Sequence, residues 1–188
     1  MEQEKLLNAF PSSMQTDVEK VISILPIEKS RTHIGSSEES IFLNKENLKI
    51  PSRIYFNEPF LQDEIKLTDL QKTILNCIYL RHENGFIRQR RLEKLVDKTD
   101  YFVVPFTLQL LGEYVIEILK VLQRHINSAT IDNYVKFIKE NQAYWEKTER
   151  RVISYWNEYY RRPQFPKFND DYVGKKIVDR LNLATQPF

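Results

Sequence analysis

The chain is poor in glycine and cysteine: it has 4 glycines and a single cysteine among 188 residues. So few glycines exclude a glycine-rich phosphate-binding loop and argue against a β-rich fold with many tight turns. The lone Cys77 excludes an intrachain disulfide and a cysteine-cluster metal site. It also lies on the apolar face of its predicted helix, which is typical of an inert core thiol rather than a nucleophile.

Long apolar runs are also missing. The first five residues are charged and lack the apolar core of a signal peptide, and no later stretch is long enough to span a membrane. The 28 basic and 26 acidic residues give a formal net charge of +2, which lacks the basic excess of a dedicated nucleic-acid binder. These features predict a soluble, cytoplasmic protein.

Helical periodicity dominates from Leu67 onward, and we expect an all-α fold, a multi-helix bundle of stacked helical hairpins. For residues 1–66 the sequence predicts an irregular N-terminal section of short helices and extended segments. Residues Asn44–Asn47 either form the turn of a small β-hairpin or join two extended segments that lie across helices. Residues 67–188 are predicted to form the helical core, and we expect this core and residues 1–66 to fold as one unit. Thr68 and Gln71 predict a capping box at the first core helix, and Gly85 a left-handed end to it.

A long helix predicted over residues 103–126 is apolar around most of its circumference, which places it at the centre of the bundle. Its charges fall on one stripe, which we interpret as an intrahelical charge ladder. A metal site is not predicted, because the histidines are not in the Glu-x-x-His pattern of di-metal bundles. A hydrolase built on Glu113, Glu117 and His82 is a third, minor hypothesis. The stripe comprises Glu113, Glu117, Lys120 and Arg124.

The segment from residue 150 to 162 combines four aromatic residues with four arginines. On a helix over residues 143–162 the apolar side chains share one arc with Trp156, which predicts core packing for that tryptophan. Tyr155, at the edge of the arc, and Arg161, on the outer face, are candidates for contact with a partner. Glu149 falls inside the apolar arc, and we expect it to be paired structurally rather than to act as a general acid. The arc holds Trp145, Val152, Ile153, Trp156, Tyr159 and Tyr160.

A second predicted helix, over residues 86–98, carries the strongest cluster of basic residues. Such a cluster is a candidate surface for phosphate or for an acidic protein, and a solvated helix face is the equally weighted alternative. The cluster comprises Arg88, Arg90, Arg91 and Lys94.

Four sequence segments, taken together, resemble a family of small bacterial helical, HEAT-like proteins without assigned enzymatic activity. They are Leu48-x-Ile-Pro-x-Arg-Ile-Tyr55, Arg81-His-x-x-Gly-Phe-x-Arg-Gln-Arg90, Val104-Pro-Phe-x-x-Gln-Leu-Leu-Gly-Glu-Tyr-Val115 and Arg151-Val-x-Ser-Tyr-Trp156. Proteins of this size and kind are similar to the immunity proteins of contact-dependent or polymorphic bacterial toxins. The resemblance implies a helical fold and a protein that binds and covers a toxin domain, often a nuclease.

We therefore expect a non-catalytic protein-binding module without cofactor or metal. The alternative is a nucleic-acid-associated helical protein that uses Arg88, Arg91, Arg150 and Arg161. An immunity role would draw on local acidic patches as well as the basic and aromatic candidates. The predicted partner-binding residues are Glu38, Glu39, Arg88, Arg91, Tyr155, Arg161, Asp170 and Asp171.

Overall fold

A computed structural model describes residues 2–27, 34–162, 164, 166–167 and 172–186. Within these residues the chain is mainly helical and carries a two-stranded antiparallel hairpin, which confirms the mainly helical fold and the N-terminal hairpin. The chain divides into two compact units, residues 1–95 and 96–188. The N-terminal section packs with the first helix predicted for the core, and that helix packs with the next one. The predicted organisation, an irregular section of residues 1–66 and a helical core of residues 67–188 in one folded unit, stays a prediction. None of the described helices has the length and apolar character needed to cross a membrane.

The described residues of the first unit form five α-helices, one 3₁₀ turn and the hairpin. In chain order the elements are α1 (Glu2–Leu7), a 3₁₀ turn (Ser12–Met14), α2 (Gln15–Ile22), β1 (Glu38–Leu43), β2 (Glu46–Pro51), α3 (Leu61–Glu64), α4 (Asp69–Tyr79) and α5 (Gly85–Glu93). Helix α2 packs against α1 and α4, α4 packs against α5, and α1 also contacts β2.

Side-chain burial alternates along the hairpin from Ser40 to Leu43 and from Asn47 to Ile50. Ile41 and Leu43 on β1 are buried, as are Leu48 and Ile50 on β2, so one face of the hairpin belongs to the core. Leu43 pairs with Glu46, leaving a two-residue turn. Both turn residues, Asn44 and Lys45, have positive φ angles of 50° and 72°, the conformation that two-residue hairpin turns require.

Helix α4 starts as predicted and ends differently. Thr68 accepts a hydrogen bond from the Gln71 backbone while the Gln71 side chain bonds the Thr68 backbone, which confirms the capping box. The prediction that Gly85 ends this helix in a left-handed conformation was wrong. Helix α4 ends at Tyr79, and Gly85 begins α5 and has no positive φ angle. Asn84 caps α5, because its side-chain oxygen accepts the Phe86 backbone N–H at 2.9 Å.

Where the structure describes the second unit, it also has five α-helices, with 3₁₀ and π turns. In chain order the elements are a 3₁₀ turn (Tyr101–Val103), α6 (Val104–Leu108), a 3₁₀ turn (Gln109–Gly112), α7 (Ile116–His125), α8 (Ile131–Glu140), α9 (Gln142–Tyr155), a π-helical turn (Trp156–Tyr160) and α10 (Val173–Thr185). Helix α8 packs against α6, α9 and α10, and α10 also contacts α7 and α9.

The continuous helix predicted over residues 103–126 was wrong, because the chain breaks at Gly112 and Glu113. Glu113 is extended, with φ −109° and ψ 155°, and its side chain is buried rather than part of an exposed stripe. A Cβ atom at Gly112 would lie 3.2 Å from Cδ of Arg151, so glycine allows α9 to pass close by. The charge ladder therefore does not include Glu113.

A buried polar chain connects α6, α7 and α8. The Tyr134 hydroxyl lies 2.6 Å from Oγ1 of Thr107 and 2.8 Å from Nδ1 of His125. His125 is almost fully buried, and this burial lowers its pKa to about 4, although a hydrogen bond to the Lys98 backbone acts in the opposite direction. His125 is therefore neutral in the folded unit at neutral pH.

This lowered pKa predicts acid sensitivity of the second unit. Between about pH 6.5 and pH 4 the unfolded chain binds a proton at His125 and the folded chain does not, so stability falls as the pH falls through this window. The loss from this group is roughly 3 kcal/mol at its limit. Both tryptophans, Trp145 and Trp156, lie in this unit, so urea unfolding followed by tryptophan fluorescence measures it. We expect the pH dependence between 6.5 and 5 to be shallower in His125→Gln; equal slopes would contradict the assignment.

Candidate binding surfaces

The side chain of Arg91 joins three parts of the first unit. Its Nε donates to Oε1 of Glu58 at 2.7 Å, and its two terminal nitrogens donate to the two carboxylate oxygens of Glu64 at 2.8 and 2.9 Å. Nη1 also donates to Oδ1 of Asn76 at 3.1 Å. The guanidinium carbon lies 5.0 Å from the centre of the Tyr79 ring. Arg91 on α5 thereby fixes the segment that contains α3 against α4.

Two further cations extend this cluster towards solvent. Arg90 bonds the second oxygen of Glu58, and Nζ of Lys94 lies 3.0 Å from Oε1 of Glu64. Burial alone would raise the pKa of Glu64, but the hydrogen bonds and charges of Arg91 and Lys94 outweigh it and lower that pKa. Glu64 is therefore ionised and firmly held at neutral pH.

The predicted exposed patch on α5 needs correction, because Arg88 and Arg91 are both buried. Nη1 of Arg88 donates to the backbone carbonyls of His82 and Glu83, each at 2.7 Å. These carbonyls follow the end of α4, so Arg88 satisfies backbone acceptors there. Two of the predicted partner-binding arginines thus serve the interior of the unit.

The polar groups considered for catalysis are spread over both units. Cys77 is buried. His82 stacks on Tyr79 with ring centres 6.0 Å apart, its Nδ1 accepts the Asn84 backbone N–H, and burial lowers its pKa. His82 belongs to the first unit, whereas Glu113 and Glu117 belong to the second. Within the described residues no group of three or more His, Cys, Asp or Glu side chains is arranged to hold a metal ion.

Three tyrosines of the second unit contact one another through their rings and form what we call the tyrosine surface: Tyr114, Tyr155 and Tyr159. The rings of Tyr114 and Tyr159 are stacked, and that of Tyr155 is tilted against both. The ring of Tyr114 lies 5.1 Å from that of Tyr159 and 6.3 Å from that of Tyr155, and the latter two are 6.0 Å apart. Nearly half of Tyr114 and of Tyr159 is exposed. The Tyr160 hydroxyl donates to the Tyr114 backbone carbonyl and fixes that residue.

The side chains buried on α9 and the π-helical turn match the predicted apolar arc only in part. Trp145, Val152 and Trp156 pack inside, which confirms the core role of Trp156, whereas Ile153 and Tyr159 are about half exposed and do not belong to the core arc. Arg161 is exposed, with its guanidinium carbon 5.7 Å from the centre of the Trp156 ring.

Glu149 has a structural partner. The side chain of Asn182 on α10 accepts a hydrogen bond from Nε1 of Trp145 at 2.9 Å and donates one to Oε1 of Glu149 at 2.7 Å. The carboxylate is half-buried and paired with this amide. The expectation of structural pairing agrees with this arrangement.

Of the four acidic residues predicted to contact a partner, two lie within the described residues. Glu38 and Glu39 are half-buried on β1, paired across the hairpin with Pro51 and Ile50. Asp170 and Asp171 lie outside the described residues. Their role in binding stays a prediction.

Sequence reasoning missed Glu58, Glu64 and Tyr114. The two carboxylates precede Arg91 by 33 and 27 residues, and no periodic pattern links positions so far apart. Tyr114 was assigned to the interior of a continuous helix. The Gly112 that breaks this helix was the available signal.

Comparison of the chain with protein-family models, with curated proteins and with solved structures finds no match. Any functional assignment therefore depends on the residues and geometry described above.

We expect Arg91→Met to destabilise the first unit by about 3–5 kcal/mol, because it leaves carboxylates without their buried cationic partner. The matched control is Arg90→Met, which removes an exposed partner of the same Glu58 and is expected to cost less than about 1 kcal/mol. Hydrogen exchange of α4 and α5 amides measures the stability of this unit. Equal effects of the two substitutions would contradict the role given to Arg91.

Proposed function

We propose that the chain is a non-catalytic protein-binding module, and specifically an immunity protein that neutralises a bacterial toxin domain, such as a nuclease, by covering its active site. The observation that carries this proposal is the tyrosine surface. Tyrosine, tryptophan and arginine are the residues most enriched in binding hot spots. Here the two half-exposed tyrosines, Tyr114 and Tyr159, stack on each other and contact the tilted ring of Tyr155, and the Tyr160 hydroxyl holds the Tyr114 backbone.

The rigidity of this cluster supports a binding role. An aromatic side chain already fixed by its neighbours loses little conformational freedom when a partner packs on it. Arg161 lies on the same turn and is braced against Trp156. The mechanism is steric occlusion in the cytoplasm, and the chain itself performs no chemistry. The stacked-hairpin arrangement of the helices belongs to the same proposal.

The alternative, a nucleic-acid-associated protein, is weakened because two of the arginines that it needs at the surface are buried. It drew on four arginines, of which Arg88 and Arg91 are buried and bonded within the chain. Arg150 and Arg161 alone make a small electrostatic footprint on a chain of net charge +2. A single-stranded or duplex oligonucleotide is therefore expected to bind weakly even at low salt, where phosphate contacts are strongest.

Coexpression tests the proposal. Cells that express the toxin domain encoded beside this chain should survive when the chain is coexpressed, and should die without it. No protection against that toxin would contradict the immunity role.

Binding to a catalytically inactive form of that toxin locates the interface. We expect Tyr114→Ser and Tyr159→Ser each to weaken binding about 30-fold, the effect of losing roughly 2 kcal/mol at a hot spot. The matched control is Leu183→Ser, which removes an exposed apolar side chain from α10. Isothermal titration calorimetry gives the three dissociation constants. Protection with unchanged affinity in both tyrosine variants would retain the function and overturn the surface.

A further inference from the structure

The first unit exposes a separate group of large apolar side chains, which we call the α3 surface: Phe60, Leu61, Ile65 and Phe86. Between 65% and 81% of each residue is exposed. Within the described residues these are four of the five most exposed large hydrophobic side chains. Clustered exposure of this kind is uncommon on a protein without a partner.

The segment around α3 has its apolar and acidic faces reversed. A short amphipathic helix usually turns its apolar side chains inward, yet here Glu58 and Glu64 point inward to Arg91. Leu61 and Ile65, one turn apart, are left in solvent. Burying either of them would be favourable, so the ion pairs hold the segment against its hydrophobic preference.

The reversed segment is well fixed. The Phe60 carbonyl accepts the backbone N–H groups of Asp63 and Glu64, at 2.9 and 3.1 Å, and Lys66 pairs with Asp63 at 2.9 Å. A partner would therefore meet apolar side chains that are already in place, which lowers the entropic cost of binding.

Phe86 lies on the same side as this segment. It is one turn before Arg90 on α5, and side chains four residues apart share a helix face. Arg90 bonds Glu58, two residues before Phe60. The ion pair thus brings the Phe86 face of α5 next to the start of the α3 segment.

In the three ion pairs that border the α3 surface, the cation is the more exposed member. Side-chain exposure is 46% to 73% for Lys66, Arg90 and Lys94, but only 13% to 33% for the carboxylates that pair with them. An approaching molecule therefore meets each of these cations, which we call the basic rim, before the carboxylate that it pairs with. The carboxylates in question are Glu58, Asp63 and Glu64.

We propose that the α3 surface binds a protein segment that presents an apolar anchor flanked by Asp or Glu. The apolar group covers Leu61 and Ile65, and the flanking carboxylates meet the basic rim. Four large apolar side chains at the centre suit a peptide side chain better than a phosphate backbone, which offers no apolar surface there. This surface lies in the first unit, so the inference does not depend on the tyrosine surface or on a toxin.

Two synthetic amphipathic peptides test the proposal. Both carry leucine on one helix face, with glutamate on the other face in the first peptide and lysine in the second. Fluorescence anisotropy with the full chain should show at least about tenfold tighter binding of the glutamate peptide, because rim charges select the sign of the partner. Its affinity should fall as salt is raised. Equal binding of the two peptides, or none, would overturn the proposal.

Variants at exposed positions locate the binding. Leu61→Ser and Ile65→Ser should each weaken the glutamate peptide about tenfold or more, and Lys66→Glu should reduce its advantage over the lysine peptide. The matched control is Phe42→Ser, an exposed apolar residue on the hairpin. Tyr159→Ser should leave peptide affinity unchanged, which separates this inference from the proposed function. Binding to phosphatidylserine vesicles without peptide binding, or self-association abolished by Leu61→Ser, would assign the surface to a membrane or to a second copy instead.

Discussion

The arrangement of the first unit depends on one buried cation. Arg91 lies where α3, α4 and the segment before α3 meet, and its guanidinium donates to two carboxylates and an amide at once. A buried arginine is tolerated only when its donors are satisfied. The unit satisfies them by drawing Glu58 and Glu64 inward, so the apolar side chains between them face solvent. The need to pair the buried Arg91 thereby determines which apolar side chains are exposed on the surface of this unit.

The features that sequence predicted correctly are local. The capping box at Thr68 and the alternation that forms the hairpin each involve residues a few positions apart, where the spacing itself determines the contact. The core role of Trp156 followed from helical periodicity in the same way. The errors arose where a distant contact overrode the local pattern. Arg88 and Arg91 look like surface cations on a helix, and only their partners elsewhere in the unit reveal that they are buried.

The tyrosine surface likewise combines one residue that the local sequence pattern predicted with two that it did not. Tyr155 was identified from its position at the edge of an apolar arc, but the two rings that contact it were not. Tyr114 comes from a segment that leaves the helix after Gly112, and Tyr159 lies in the π-helical turn. The 3₁₀ turn that ends at Gly112 packs against α9. A hydrophobic pattern read on an ideal helix cannot place these rings.

The order of the charges along the chain has a consequence for synthesis. Glu58, Glu64 and Asn76 all leave the ribosome before Arg91, which follows the first of them by 33 residues. Until Arg91 emerges, nothing in its network holds the acidic face of α3 inward, and the apolar face is free to collapse onto the nascent core. Proteins fold as their domains are completed, from the N-terminus onward. The appearance of one arginine near the end of the unit therefore marks the earliest point at which this network can hold the acidic side chains of the α3 segment inward.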